Sequence, residues 1–144
     1  MTKPLLTTIL LLTCIAVSTL AQQGLRVADI FSRYGGERGC KMVEMHDTEL
    51  RGYKLKTYQS LIYQKQGEEI ARLLADDRRK ATKIREVVSD GRIESGYYIL
   101  PPLSESQQRY ILYTQKPDKS GAVIYIEGAL SPDDIMKLCY QKKK

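Results

Sequence analysis

Residues 109–127 read RYILYTQKPDKSGAVIYIE and contain two strand patterns joined by a turn. The first pattern, Arg109–Gln115, and the second, Ala122–Glu127, are rich in Tyr, Ile and Val, which suit the pleated surface of a sheet. Between them, Lys116–Gly121 holds Pro, Asp, Ser and Gly, the residues typical of turns. The stretch therefore predicts an antiparallel β-hairpin.

Two further segments predict strands of the same sheet. Polar and apolar residues alternate in Tyr53–Tyr63, which is typical of a strand with one covered face, although Tyr58 and Ile62 indicate that the other face is partly buried as well. Ile93–Leu100 is also strand-like. Pro101–Pro102 is expected to end that strand, because proline cannot extend a central ladder.

Helices are predicted near both ends of the domain. Val27–Tyr34 carries apolar residues at helical spacing, and a short strand is expected to open near Cys40. Close to the C-terminus, Ser131 is a preferred cap and a proline suits the first turn that follows it. Asp133–Asp134 then faces the positive end of the helix dipole, so a final helix is expected here.

The segment from Gly67 to Gly91 is open to two interpretations. Its apolar residues recur at steps of three and four, which favours a long helical segment, with Asp77 where an apolar residue is expected. In the alternative, Lys83–Ser89 is a strand that pairs with the next one through a turn at Asp90–Gly91. The helical spacing makes the helix the preferred interpretation.

Composition and the order of elements define the fold class. The chain has 144 residues, 42% hydrophobic and 28% charged, which excludes a disordered, a collagen-like and a polytopic membrane protein. This length suits one domain. The sequence predicts an α+β fold, with a mainly antiparallel sheet of about five strands and helices packed on one face.

The N-terminal segment has the pattern of an export signal. Lys3 precedes the mostly apolar run Leu5–Leu20, and small residues stand three and one positions before Gln22. The run is shorter than the roughly 20 apolar residues that a spanning helix needs. We therefore expect a signal peptide at residues 1–21, a single domain at 22–144, no transmembrane segment after cleavage, and a periplasmic or secreted protein.

Two cysteines remain after such a cleavage. Cys40 and Cys139 form an even pair in an oxidising compartment, so a disulfide between them is possible. Free cysteine also packs as a small apolar residue. The sequence leaves both states open.

The supply of reactive side chains argues against an enzyme. His46 is the only histidine, so one copy of the chain cannot assemble a catalytic triad or a multi-histidine metal site. A small hydrolase that uses the carboxylates of Glu44, Asp47, Glu49 and Glu105 is the alternative. We expect no catalytic residues, no metal site and no cofactor.

Tyrosines in the C-terminal strands form the candidate binding surface. Tyrosine offers apolar area and a hydroxyl, which suit stacking on a sugar or a peptide. The alternative is that these rings fill a core that has only one phenylalanine. The candidate ligand-binding residues are Tyr97, Tyr98, Pro101, Tyr110 and Tyr113.

Four segments carry a family resemblance: VADIFSRYG at 27–35, CKMVEM at 40–45, RIESGYYILPP at 92–102 and VIYIEGALSPDDIMKL at 123–138. In these segments the chain resembles small exported Bacteroidetes proteins of families that are known only as domains of unknown function. The resemblance implies an envelope location and no established activity, and it supplies no catalytic residues.

Together these patterns predict a non-catalytic exported envelope protein that acts as a binding or interaction module. Its expected partner is an envelope protein, a peptide or a glycan. Nucleic acid is not expected for an exported protein, in spite of the net charge of +6. The alternatives are the small hydrolase and a structural, self-assembling envelope protein.

Overall fold

The structure is a computed structural model that describes residues 25–140, with side chains described through Leu138. Its elements in chain order are α1 (Arg26–Tyr34), β1 (Lys41–Leu50), β2 (Tyr53–Tyr63), α2 (Gly67–Lys80), β3 (Thr82–Ser89), β4 (Arg92–Ser104), β5 (Gln107–Gln115), β6 (Gly121–Gly128) and α3 (Pro132–Tyr140). The predicted signal peptide lies outside the described residues. None of the described helices is long and apolar enough to cross a bilayer.

The strands form one antiparallel sheet of six, in the order β1-β2-β6-β5-β4-β3. Neighbours in the sheet are also neighbours in the chain, except that β2 pairs with β6. The helix α2 carries the chain from β2 to β3 at the far edge. The predicted α+β class is confirmed, and the sheet has six strands where about five were expected.

The additional strand is β3, where the preferred helical interpretation is wrong. The helix α2 ends at Lys80, and Thr82–Ser89 pairs with β4. Asp90 and Gly91 have φ values of 52° and 72°, the backbone that a two-residue hairpin turn requires. The alternative interpretation, in which Lys83–Ser89 is a strand, is therefore correct. The β-branched residues and the turn favour a strand more strongly than the apolar spacing favours a helix.

Apolar side chains cover both faces of the sheet. On one face, which we call the first face, α1 and α2 bury Ile30 and Ile70 in a cluster with Tyr125 of β6. On the opposite, second face, Ile135 of α3 packs in a cluster that includes Leu112 of β5. Two helices thus share a face as predicted, but α3 lies on the other one, because the central strands are apolar on both sides.

A bulge in β2 moves its buried residues from one face to the other. The pairing with β6 shifts between Leu55 and Thr57. Leu55 consequently packs in the cluster of the second face, whereas Leu61 and Tyr63 pack in that of the first. Opposite the shift, Asp47 of β1 has a φ of 49°. The predicted alternation is present, but it does not mark a single covered face.

The buried Asp77 caps α1 from a neighbouring helix. Its carboxylate accepts the backbone N–H groups of Arg26 and Val27, each at 2.8 Å. These residues begin α1, and the first N–H groups of a helix have no partner within it. Burial raises the pKa of the Asp77 carboxyl, and the two hydrogen bonds oppose that effect. Asp77 therefore fixes α1 against α2.

The predictions for two element ends have different outcomes. The Ser131 hydroxyl accepts the N–H of Asp134, and the carboxylate of Asp134 accepts the N–H of Ser131, both at 3.1 Å, so the predicted cap of α3 is present. Pro101–Pro102 does not end β4, which continues to Ser104. Its pairing with β5 is nevertheless interrupted after Leu100, because proline has no N–H to donate.

Glu86 of β3 ties the edge of the sheet to α2 on the first face. Its carboxylate accepts the hydroxyl of Tyr98 at 2.6 Å and the guanidinium of Arg78 at 3.0 Å. The Arg78 guanidinium also lies over the Tyr98 ring, 5.7 Å from its centre. The Tyr98 hydroxyl and then Arg78 hold the pKa of Glu86 below its ordinary value.

Substituting Tyr98→Phe is expected to lower the free energy of unfolding by about 1.5 kcal/mol at neutral pH, because a hydrogen bond to a charged group is lost. The folded protein holds the pKa of Glu86 below its value in the unfolded chain. The stabilisation is therefore complete above the unfolded value and disappears as the pH falls through the folded value. Urea unfolding over a pH series measures the difference between the two proteins, which should shrink as the pH falls. A difference that is constant with pH contradicts the assignment.

Candidate functional site

Strand pairing places a row of side chains across the second face, beside α3. From β2 to β4 the row consists of Ser60, Ile124, Leu112 and Tyr97, and Val43 of β1 extends it. Directly opposite residues of antiparallel strands point to the same face, so these side chains share one surface. The row is part of a strip that crosses five of the six strands.

The strip and α3 bound a groove of about 380 Å³, which we call the α3 groove. Its floor consists of Tyr58, Tyr97, Leu112 and Ile124, Leu138 of α3 is its wall, and Leu50 and Arg51 are at one end. The next row of the sheet contains Tyr58, Ile126 and Tyr110. Tyr58 and Ile126 line the groove, and Tyr110 packs in the second-face cluster with Ile135 of α3. The short helix therefore covers only part of the second face, and the groove lies along its side.

Arg51 is the charged residue among those that line the α3 groove. It forms the turn between β1 and β2 with Gly52, and both residues have positive φ, 53° and 88°. One Nη of Arg51 donates to the carbonyl of Leu138 at 3.0 Å, in the last turns of α3. A guanidinium has five N–H donors, and this bond uses one of them.

Exposed apolar residues continue the groove towards the β1 edge. Val43 is 47% exposed and Ile62 is 53% exposed. Ile62 pairs with Ala122, which lines the groove, and Val43 pairs with Ser60 in the floor row. An apolar strip that is continuous with a groove is a common mark of a binding surface.

The surface predicted around the C-terminal tyrosines does not exist. Tyr97, Tyr98, Tyr110 and Tyr113 are each 9% exposed or less, and only Pro101 is exposed. The rings also lie on opposite faces, because Tyr98 and Tyr113 belong to the first-face cluster and the other two to the second. The alternative, that these rings fill the core of a phenylalanine-poor chain, describes the four tyrosines correctly. Tyr97 and Tyr113 are also among the residues that line the α3 groove.

Hydroxyl partners account for the use of tyrosine at these buried positions. The Tyr113 hydroxyl donates to the Gln115 side chain at 2.6 Å, and that of Tyr63 donates to the same oxygen at 3.1 Å. Burial raises the pKa of Tyr113 and of Tyr110. These groups stay protonated and bind within the protein, so they do not present a polar surface to a ligand.

The structure contradicts a Cys40–Cys139 disulfide within one chain. Cys40 is a free, half-buried thiol on the first face, and burial together with Glu37 raises its pKa. The side chain of Cys139 lies outside the described residues, but its neighbour Leu138 contacts Arg51, at the other end of β1. The ten residues of β1 span about 30 Å, far beyond the roughly 7 Å that a disulfide allows between Cα atoms.

Of the candidate carboxylates, Asp47 and Glu49 line one hollow together with Lys54 and Lys56, whereas Glu44 and Glu105 are not among its lining residues. One oxygen of Glu44 accepts the Gln59 amide at 3.0 Å and contacts the His46 ring, also at 3.0 Å. Asp47 lies opposite the bulge of β2, and Glu105 is in the exposed turn between β4 and β5. Within residues 25–140, no group of three His, Cys, Asp or Glu side chains is placed to hold a metal ion.

Sequence reasoning missed the groove, although it contained one sign of it. Tyr58 and Ile62 are apolar at positions of β2 where the alternating pattern predicts polar residues. Both lie on the second face, where the groove and the exposed strip are found. The sequence offered no comparable sign for Arg51, because a turn position next to glycine usually indicates only a turn.

Comparison with known proteins places the whole domain in one family. No curated protein and no solved structure matches the chain. One family model matches residues 14–139, which includes nearly all of the described residues. The chain therefore belongs to this family, the family of unknown function DUF6108.

Proposed function

We propose that this protein is an exported, non-catalytic binding protein of the bacterial envelope, and that the α3 groove is its binding site. The observation that carries the proposal is an apolar groove that continues into exposed Val43 and Ile62. Apolar area of this kind is costly to leave in water, at roughly 25 cal/mol per Å². A ligand that covers the groove recovers this free energy.

The interior of the domain supports a binding role more than a catalytic one. Two of its carboxylates carry structural hydrogen bonds: Asp77 caps α1, and Glu86 joins β3 to α2. Asp47 and Glu49 of the edge strand β1 line a hollow together with Lys54 and Lys56, and Glu105 is not among its lining residues. The groove, in contrast, combines apolar walls with one positioned cation, which is the usual composition of a ligand site.

Export is the second part of the proposal, and the sequence supports it. The apolar run Leu5–Leu20 and the small residues before Gln22 suit cleavage by signal peptidase, which implies a periplasmic or secreted protein. Mass spectrometry of protein from the envelope fraction should find Gln22, or its cyclised form, at the N-terminus. An intact Met1 in that fraction contradicts the proposed cleavage.

Nile red, a neutral apolar dye, tests the groove as a binding site. The dye is expected to gain fluorescence with the native protein, and Ala122→Trp should weaken its binding by about tenfold or more, because the indole fills the groove. Val88→Trp is the matched control, since Val88 is 58% exposed on β3 and lies outside the groove. Equal affinities in all three proteins, or an equal loss in both variants, would overturn the proposal.

A further inference from the structure

We infer that the α3 groove binds a single-chain amphiphile with an anionic headgroup, namely a fatty acid, with its carboxylate at Arg51 and its chain along the floor. The inference rests on the proposed function, because it names the ligand class of the same groove. Shape, the backbone of the sheet and charge support it independently.

The shape of the groove suits one extended chain. Its floor crosses four strands, from Tyr58 on β2 to Tyr97 on β4. Because neighbouring strands lie about 4.8 Å apart, this crossing is about 14 Å long. An apolar floor of this length accommodates an extended acyl chain.

The backbone of the sheet disfavours a peptide or a glycan. The floor strands β2, β6, β5 and β4 are all interior strands, and their N–H and C=O groups pair with one another in the ladder. A peptide across this face would bury its own backbone groups without partners, at a cost of about 1–3 kcal/mol for each group. A sugar would likewise lose hydrogen bonds to water, whereas an acyl chain has none to lose.

Charge determines the headgroup. Arg51 is at one end of the groove, held by its bond to the Leu138 carbonyl, and no carboxylate is among the described residues that line the groove. Strand pairing adds Lys41 opposite Ile62 and Arg85 opposite Tyr97, so basic residues border the strip at both edges of the sheet. A guanidinium in a partly apolar setting binds a carboxylate through paired, charge-assisted hydrogen bonds.

Two amphiphiles with the same chain test the inference. Displacement of Nile red is measured with dodecanoate and with dodecyltrimethylammonium, both below their micellar concentrations. Dodecanoate is expected to bind at least about tenfold more tightly than the cation. Arg51→Gln should remove this preference, and Arg72→Gln should keep it, because Arg72 is an exposed arginine of α2 that pairs with Glu69 away from the groove. Urea unfolding checks that both variants are folded.

The outcomes separate this inference from the proposed function. If Nile red binds in the groove but dodecanoate has no advantage over the cation, or if Arg51→Gln keeps the advantage, the inference is overturned and the groove remains a binding site. If an apolar peptide displaces the dye and dodecanoate does not, the inference is also overturned and the groove remains a binding site. If Nile red does not bind and dodecanoate does not bind, both proposals are wrong.

Discussion

Replacing Asp77 with alanine is expected to lower the free energy of unfolding by about 3 kcal/mol, because two backbone N–H groups at the start of α1 lose their acceptor. Both hydrogen bonds are 2.8 Å long, and the Asp77 side chain is fully buried. The loss also loosens Val27 and Ile30, which α1 buries on the first face. Urea unfolding followed by circular dichroism measures the change.

Neighbouring carboxylates provide the controls for this prediction. Asp76 is adjacent in α2 but is partly exposed, and it pairs with Arg26 and Arg79 at the surface. Asp76→Ala is therefore expected to cost less than about 1 kcal/mol. The loss of stability for Asp77→Asn should lie between the losses for Asp76→Ala and Asp77→Ala, because the amide oxygen of asparagine can accept one of the two hydrogen bonds. Equal losses for Asp76→Ala and Asp77→Ala would show that surface charge, not capping, explains the effect.

The sequence predicted the elements with strong local signals. The strands Arg109–Gln115 and Ala122–Glu127 and the helix that Ser131 caps are present because alternation, turn residues and capping residues all act over a few positions. The secondary structure of Lys83–Ser89 was harder to predict, because the spacing of its apolar residues also fits a helix. Its pairing with β4 through Asp90–Gly91 is a long-range contribution that helical periodicity does not contain.

The faces of the sheet required information that one strand does not hold. An alternating sequence pattern is the same whether the buried residues stay on one face or change faces at a bulge. In β2 they change faces between Leu55 and Thr57. The burial of Asp77 likewise depends on contacts that its own segment of the sequence does not contain. In the sequence it interrupts an apolar stripe, and only the packing of α1 against α2 supplies the N–H groups that it binds.

The tyrosines illustrate why a binding site is harder to predict than a fold. Consecutive residues of a strand point to opposite faces, so the pair Tyr97–Tyr98 places one ring on each face of the sheet. Tyr98 is buried in the cluster of the first face, and Tyr97 packs so closely in the groove floor that it is only 9% exposed. The open part of the second face lies beside α3, because that helix is only nine residues long and leaves the floor next to it uncovered.

Gly121→Ala is expected to lower the free energy of unfolding by about 2–3 kcal/mol, because an added methyl group overpacks the core at the start of β6. A Cβ at this position would overlap the Thr114 carbonyl oxygen of β5 and would lie 2.6 Å from the Tyr63 hydroxyl. That hydroxyl is already held by Thr114 and Gln115. The strand is paired on both sides, so it has little freedom to move away.

A second glycine separates this steric effect from the general properties of glycine. Gly36 has no atom within 4 Å of an added Cβ, so Gly36→Ala should change the free energy of unfolding by less than about 0.5 kcal/mol. Gly121 also precedes Ala122, which lines the α3 groove, and a shift of β6 against β5 would displace the groove floor. Folded Gly121→Ala protein should therefore bind Nile red more weakly than the native protein, whereas Gly36→Ala should bind it equally well. Similar losses of stability in the two variants would show that close packing at Gly121 is not the cause.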